Sequence, residues 1–188
     1  MEHSNSMKTC SVCLAEFAPA RPMQSVCSPK CAGAKVRQDR AAKKAKLALE
    51  RKETKERREK LKPLRALVSE AQKAFNAWVR ERDAGQPCIS CGRHHQGQWH
   101  AGHYMSTGAR PELRFEPDNA HLQCQPCNTH LSGNLIAYRI RLIEKVGLAR
   151  VEWLEAHHET PKLSREAIVT IKRIYTQAAK DLRERRML

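Results

Sequence analysis

Four cysteines constrain this chain more than any other feature. Residues 88–134 read CISCGRHHQGQWHAGHYMSTGARPELRFEPDNAHLQCQPCNTHLSGN, with Cys88-x-x-Cys91 at one end and Cys124-x-x-Cys127 near the other. Each Cys-x-x-Cys knuckle sets two thiolates on one tight turn, so the two pairs offer a tetrahedral sulfur site suited to Zn²⁺. Whatever lies between them must form a loop or hairpin whose ends meet. A structural zinc needs only its four sulfurs, yet the stretch also carries His100, His103, Asn119, His121, Asn128 and His130. Those side chains call for a second explanation.

The remaining cysteines repeat the theme. Cys10-x-x-Cys13 and Cys27-x-x-x-Cys31 predict a second structural zinc in a small module over residues 1–33. Pro19, Pro22 and Pro29 are expected to break any regular helix before Lys30. Eight cysteines in four close pairs, with no apolar signal-like start, favour metal thiolates in a reducing cytoplasm over disulfides. No apolar run is long enough to cross a membrane, so no membrane partner is expected.

The formal charge of +15 points to a polyanionic partner, with nucleic acid the default. Residues 34–62 carry much of it: between Lys35 and Lys62 stand thirteen Lys/Arg against five Asp/Glu. The segment is helix-forming and nearly devoid of apolar residues, so it predicts a solvated helical linker. Its Lys43, Lys44, Arg57 and Arg58 are candidates to track phosphates. No aromatic residue interleaves, so base stacking is not expected there.

Pro63 separates this from a different pattern. Over residues 63–87, Leu64, Leu67, Val68, Ala71, Phe75, Trp78 and Val79 recur at helical spacing, which predicts an amphipathic core helix. Residues 135–188 predict three more helices: one closed by Gly147, a short one ending near His157, and a last one capped by Ser164. The fold class is therefore α+β and helix-rich, with helices flanking the 88–134 core.

Hydrolysis of a phosphodiester would use the additional side chains. A neutral histidine can take a proton from water, and a weakly ligated divalent ion can spread the charge that builds on phosphorus. The pattern Cys-x-x-Cys, His103, Asn119, Cys124-x-x-Cys127, Asn128, His130 resembles the zinc-stapled HNH (ββα-metal) endonucleases. More specifically, CISCG, HAGHY, LRFEPDNAHLQC, CNTHLSGN and the Cys10–Cys31 module resemble the NinG (Rap) recombination family of lambdoid phages, over nearly the whole chain.

That resemblance implies an endonuclease that cuts branched DNA, such as Holliday junctions and displacement loops, in the host cytoplasm alongside phage or host recombination proteins. It implies His103 as general base and Asn119 as the residue that ties down the base-bearing loop. A Mg²⁺ or Mn²⁺ ion would lie near Asn128 and His130, and the products would carry 5′-phosphate and 3′-hydroxyl ends. The chain departs from the pattern at Gly102, where many relatives have an aspartate ligand; either His100 or His121 supplies the missing ligand, or the site binds its ion weakly. Arg110 and Arg114 either grip phosphates or keep the hairpin soluble. Paired cuts at a junction would favour a homodimer, although no feature of the chain specifies one. Two alternatives stand beside the nuclease: a non-catalytic junction-binding accessory protein, and a protein directed at structured RNA.

Overall fold

The computed structural model describes residues 7–159 and 163–187. The chain divides at the Lys62–Pro63 junction into two compact units, Met1–Lys62 and Pro63–Leu188.

In the first unit, a short antiparallel pair, β1 (Lys8–Thr9) and β2 (Glu16–Phe17), precedes one long helix, α1 (Pro29–Leu61, 33 residues). The helix begins earlier than the cysteine spacing suggested. Ser28 is its N-cap and accepts from the Cys31 amide at 3.3 Å. Pro29 takes the first helical position, where its missing N–H costs nothing, and so opens the helix rather than breaking it. Cys31 consequently rides on the first turn of α1, and the zinc-type module continues directly into the basic helix. No residue of α1 is buried, as its composition predicts.

The second unit is built on α2 (Leu64–Arg82), whose Leu67, Ala71, Phe75 and Val79 are buried on one face. The hairpin strands β3 (Trp99–His103) and β4 (Ala120–Cys124) pair antiparallel, with Trp99 opposite Cys124 and His103 opposite Ala120. Helices α3 (Leu135–Val146), α4 (Leu148–Ala156) and α5 (Arg165–Met187) complete it. Gly147 closes α3 at φ 86°, and the Ser164 hydroxyl accepts from the Ala167 amide at 3.1 Å at the start of α5, both as the sequence predicts.

Two apolar layers hold the hairpin. Phe75, Val79 and Ala120 pack together with Trp78, Ala101, Phe115 and Tyr175, which seats the sheet on α2 and α5. Ile89, Tyr104, Leu113, Tyr138, Leu142, Val151 and Leu154 join the first knuckle and the loop after β3 to α3 and α4. Helix α5 is further tied to α2 by Lys172–Glu70 at 2.7 Å and by Arg183 and Arg186 on Glu81.

A buried ion pair ends α2. Asp83 is 1% exposed; it receives Arg82 Nε and Nη2, both at 2.8 Å, and the Leu122 amide of β4 at 3.0 Å. Arg82 also donates to the Ala120 carbonyl at 2.7 Å and the Pro117 carbonyl at 3.0 Å. Burial works against the Asp83 carboxylate, but Arg82 and then Lys145 hold its pKa below the ordinary value of 3.8. Its contribution is therefore complete above that value and is lost as pH falls below it. Removing one partner strands the other, so Asp83→Ala is expected to cost about 3–5 kcal/mol in urea unfolding of the full chain, against little change for an exposed α1 substitution.

Candidate metal centres and the His103 cleft

The first knuckle is a tight turn closed by Gly92 N–H to the Cys88 carbonyl at 2.8 Å. Gly92 has φ 69°, in the left-handed region that favours glycine; a Cβ there would in addition displace the Arg141 guanidinium. The second knuckle follows from the end of β4 into a π-helical turn, Pro126–His130. Together they bring the Sγ atoms of Cys88, Cys91, Cys124 and Cys127 within 4.8 Å of one another; Cys10, Cys13, Cys27 and Cys31 are gathered in the same way.

Four thiolates around zinc at about 2.3 Å lie about 3.8 Å apart. The Cys13–Cys27 separation of 3.5 Å, Cys27–Cys31 of 3.7 Å and Cys91–Cys124 of 4.0 Å match that geometry. Backbone amides of Cys27 and Cys124 each point at a sulfur, Cys10 and Cys88 respectively, at 3.4 Å. Such N–H donors offset thiolate charge. Burial, followed by hydrogen bonds with Cys88 and Cys127, pushes the Cys124 thiol up to about 12, whereas, against its burial, backbone N–H groups of Cys124, Cys91 and Ser90 hold Cys88 below the ordinary thiol value; a bound zinc ion would hold all four ionised. Both clusters fit zinc. His95 lies with Nε2 3.2 Å from Cys91 Sγ, and the Asn134 amide donates to Cys127 Sγ at 3.6 Å. These are outer partners of the second cluster that spacing alone does not reveal.

His103 ends β3 and is half-buried against Phe75, with ring centroids 5.8 Å apart. Its Nε2 lies 3.1 Å from the Arg114 carbonyl. A carbonyl only accepts, so Nε2 carries the hydrogen and Nδ1 keeps the basic lone pair. Burial lowers the pKa of His103 from 6.5, which keeps the imidazole neutral at pH 7.

Asn119 is fully buried and holds the loop after His103. Its amide nitrogen donates to the carbonyls of Met105 (2.9 Å) and Leu113 (3.1 Å), while its oxygen accepts from the Met105 amide (2.8 Å). It positions the loop and does not line the cleft. That cleft, about 440 Å³, is bounded by Ala101, His103, Met105, Asn128, Gly133 and Leu135 among others. Asn128 in turn lies 3.0 Å from His100 Nδ1 through its amide nitrogen.

Four of the expected site residues are placed elsewhere. His121 is 2% exposed, packs with Nδ1 3.3 Å from the Tyr138 hydroxyl, and is driven to a pKa of about 3 by burial and by Lys145 and Arg82. It belongs to the α3 side of the hairpin, away from His103. His130 is exposed at the end of the π-helical turn and does not line the cleft. Arg110 is buried: it pairs with Glu112 at 2.6 Å and donates to the Glu155 and Leu154 carbonyls at 2.9 and 3.3 Å, capping the end of α4. Arg114 donates to Gln72 Oε1 at 3.2 Å and the Thr107 carbonyl at 2.9 Å. Arg110 is thus buried at the end of α4, whereas Arg114 is half-buried with two of its guanidinium nitrogens bonded to Gln72 and Thr107. Lys43, Lys44, Arg57 and Arg58 are all exposed on α1.

The departure at Gly102 has a steric cause. A Cβ at this position would stand 1.9 Å from Gln123 Oε1, so the side chain of Gln123 fills the space an aspartate would use. Gln123 Oε1 and His100 Nε2 are both buried without a hydrogen-bond partner. Each such orphan costs about 1–3 kcal/mol if left unmatched.

Replacing Asn119 by alanine would strand two buried carbonyls and free the loop 104–113. Asn119→Ala is expected to lower stability by about 3 kcal/mol and to make that loop the first site of limited proteolysis.

Comparison with known proteins places the chain. The family model described as Bacteriophage Lambda NinG protein matches residues 3–185. Protein ninG of Salmonella phage P22 is 44% identical, with 93% of this chain and 92% of the relative covered. Protein ninG of Escherichia phage lambda is 43% identical, covering 93% and 91%. That of Enterobacteria phage H19B is 41% identical, covering 95% of both. No solved structure matches. With a family model spanning almost its whole length and relatives this similar from end to end, the chain belongs to the NinG family of phage proteins.

Proposed function

We propose that this chain is a metal-dependent endonuclease that cuts branched DNA during phage recombination, with a core of the HNH (ββα-metal) type. The observation that carries the proposal is the shared cleft: a neutral His103 of defined tautomer and Asn128 line one opening beside a four-cysteine cluster. The order hairpin, His103, second knuckle, Asn128 is also that of the zinc-stapled nucleases the sequence resembles.

In this reading His103 Nδ1 accepts the proton of the attacking water. The Arg114 carbonyl, by holding Nε2–H, fixes the ring and stabilises the imidazolium that forms. Asn119 keeps the loop that supplies Arg114 closed against the hairpin through its bonds to Met105 and Leu113. A bound Mg²⁺ or Mn²⁺ would spread the negative charge on the phosphorane and on the leaving 3′-oxygen. The exposed cations of α1 supply non-specific affinity for phosphates.

The test uses an immobile four-way junction, a matched linear duplex and zinc-loaded protein. Wild type is expected to cut the junction selectively in Mg²⁺ or Mn²⁺, and His103→Ala to bind it but cut at least a hundredfold more slowly. Because burial lowers the His103 pKa, the wild-type rate should be flat through pH 7 and fall only below 6.5. Equal binding with no cleavage by either protein contradicts the nuclease and favours a junction-binding accessory protein, the reading that the absent aspartate at Gly102 supports. Preference for structured RNA in competition would redirect the substrate class. Replacing Lys43, Lys44, Arg57 and Arg58 together by alanine is expected to weaken junction and duplex binding alike. It should also make the log K against log salt slope shallower by up to about 3.6, at about 0.9 per lost phosphate contact.

A further inference from the structure

We propose that Gln123 and His100 form a neutral divalent-cation site in which the amide oxygen of Gln123 takes the part of the missing carboxylate at position 102. The inference rests on the nuclease reading for its purpose, but not for its geometry.

His100 and Gln123 are direct cross-strand partners, so their side chains leave the same face of the hairpin, two pairs along from Gly102 and His121 on that face. Gln123 is fully buried and its amide is oriented unambiguously. Nε2 lies 2.6 Å from the Gly133 carbonyl and 2.6 Å from Ser90 Oγ, and only a nitrogen can donate to that carbonyl. Oε1 is thereby left as a buried acceptor without a partner, and it lies where the side chain of residue 102 would begin. Glycine at 102 is therefore the complement of Gln123 and not merely a lost ligand.

His100 presents the second orphan, Nε2. Its other nitrogen is 3.0 Å from the Asn128 amide. With that amide reversed, the Asn128 oxygen accepts Nδ1–H and Nε2 carries a lone pair, the arrangement an outer-shell partner imposes on a metal-ligating histidine. Asn128 then acts through His100. An imidazole and an amide oxygen suit Mn²⁺ or a similar hard divalent ion, with the remaining positions left for water and phosphate oxygens. Asn128 and Gly133, which hold the two ligands, both line the His103 cleft. Lacking any carboxylate, the site binds its ion through dipoles alone and therefore weakly, and a phosphodiester entering the cleft would tighten it.

The test is an electron paramagnetic resonance titration of zinc-loaded full-length protein with Mn²⁺ alone. Wild type is expected to bind one Mn²⁺ per chain. His100→Ala and Gln123→Ala should weaken it at least tenfold, His100→Glu should tighten it at least tenfold, and His103→Ala should leave it unchanged. His100→Ala and His100→Glu leave the Gln123 anchors intact, so they remain informative if Gln123→Ala unfolds; two bound zinc ions and an unaltered thermal transition certify each variant. Mn²⁺ binding that responds to His100 without any junction cleavage would sustain this site while the nuclease reading fell. Junction cleavage by a wild type whose Mn²⁺ binding is indifferent to the His100 variants would overturn this site, leaving the two orphaned atoms bridged by water only. Absence of any Mn²⁺ bound to wild type and to His100→Glu would overturn it as well.

Discussion

The contact on which the C-terminal unit depends is the meeting of Cys88, Cys91, Cys124 and Cys127. A two-stranded hairpin is marginal by itself in water, and this one has only five residues in each strand. It is pinned at both ends. At the Trp99–Cys124 end the four sulfurs join the segment before β3 to the end of β4. At the His103–Ala120 end, Arg82 grips the Ala120 carbonyl and Asp83 takes the Leu122 amide, while Asn119 holds the following loop. Between those pins the apolar layers on α2, α3 and α5 can be modest, which suits a chain with few aromatic residues.

The same restraints place the chemistry. His103 is the last residue of β3, where the strand stops and the Asn119-tied loop begins, so its ring meets the Arg114 carbonyl on one side and an open cleft on the other. The price of this rigidity is a set of buried polar groups that must be matched, and most are: Asp83 by Arg82, Asn119 by the loop backbone, Gln123 Nε2 by Gly133 and Ser90. Among the described residues the two that are not, Gln123 Oε1 and His100 Nε2, belong to side chains on the same side of the sheet.

Much of this organisation was legible in the sequence. The cysteine pairs, the apolar periodicity of α2 and the caps at Gly147 and Ser164 are local signals with short-range causes. The family resemblance also singled out Asn119, which bonds to the backbone of Met105 and Leu113. Residue type alone does not show where a side chain is placed. Arg110 and Arg114 look like phosphate ligands in a list of cations, but their guanidinium groups are consumed by carbonyls and side chains brought close only by the fold. His121 looks like a ligand beside Asn119, yet strand alternation turns it onto Tyr138. Gln123 carries no charge and attracts no notice in the sequence; its importance depends on a glycine on the neighbouring strand, two residues beyond its cross-strand partner His100. Pro29 was misread because a proline that forbids helix interior also favours the first turn.

The measurement that bears most directly on this account is amide hydrogen exchange of β3 and β4, with zinc bound and after its removal by a strong chelator under reducing conditions. If the four-cysteine cluster holds the hairpin, the zinc-loaded protein contains two zinc ions per chain. Stripping them should abolish protection across Trp99–His103 and Ala120–Cys124 while the helical signal of α1 persists. Unchanged protection of both strands in metal-free protein would contradict it, and would transfer the burden of the fold to the Arg82–Asp83 pair and the apolar layers.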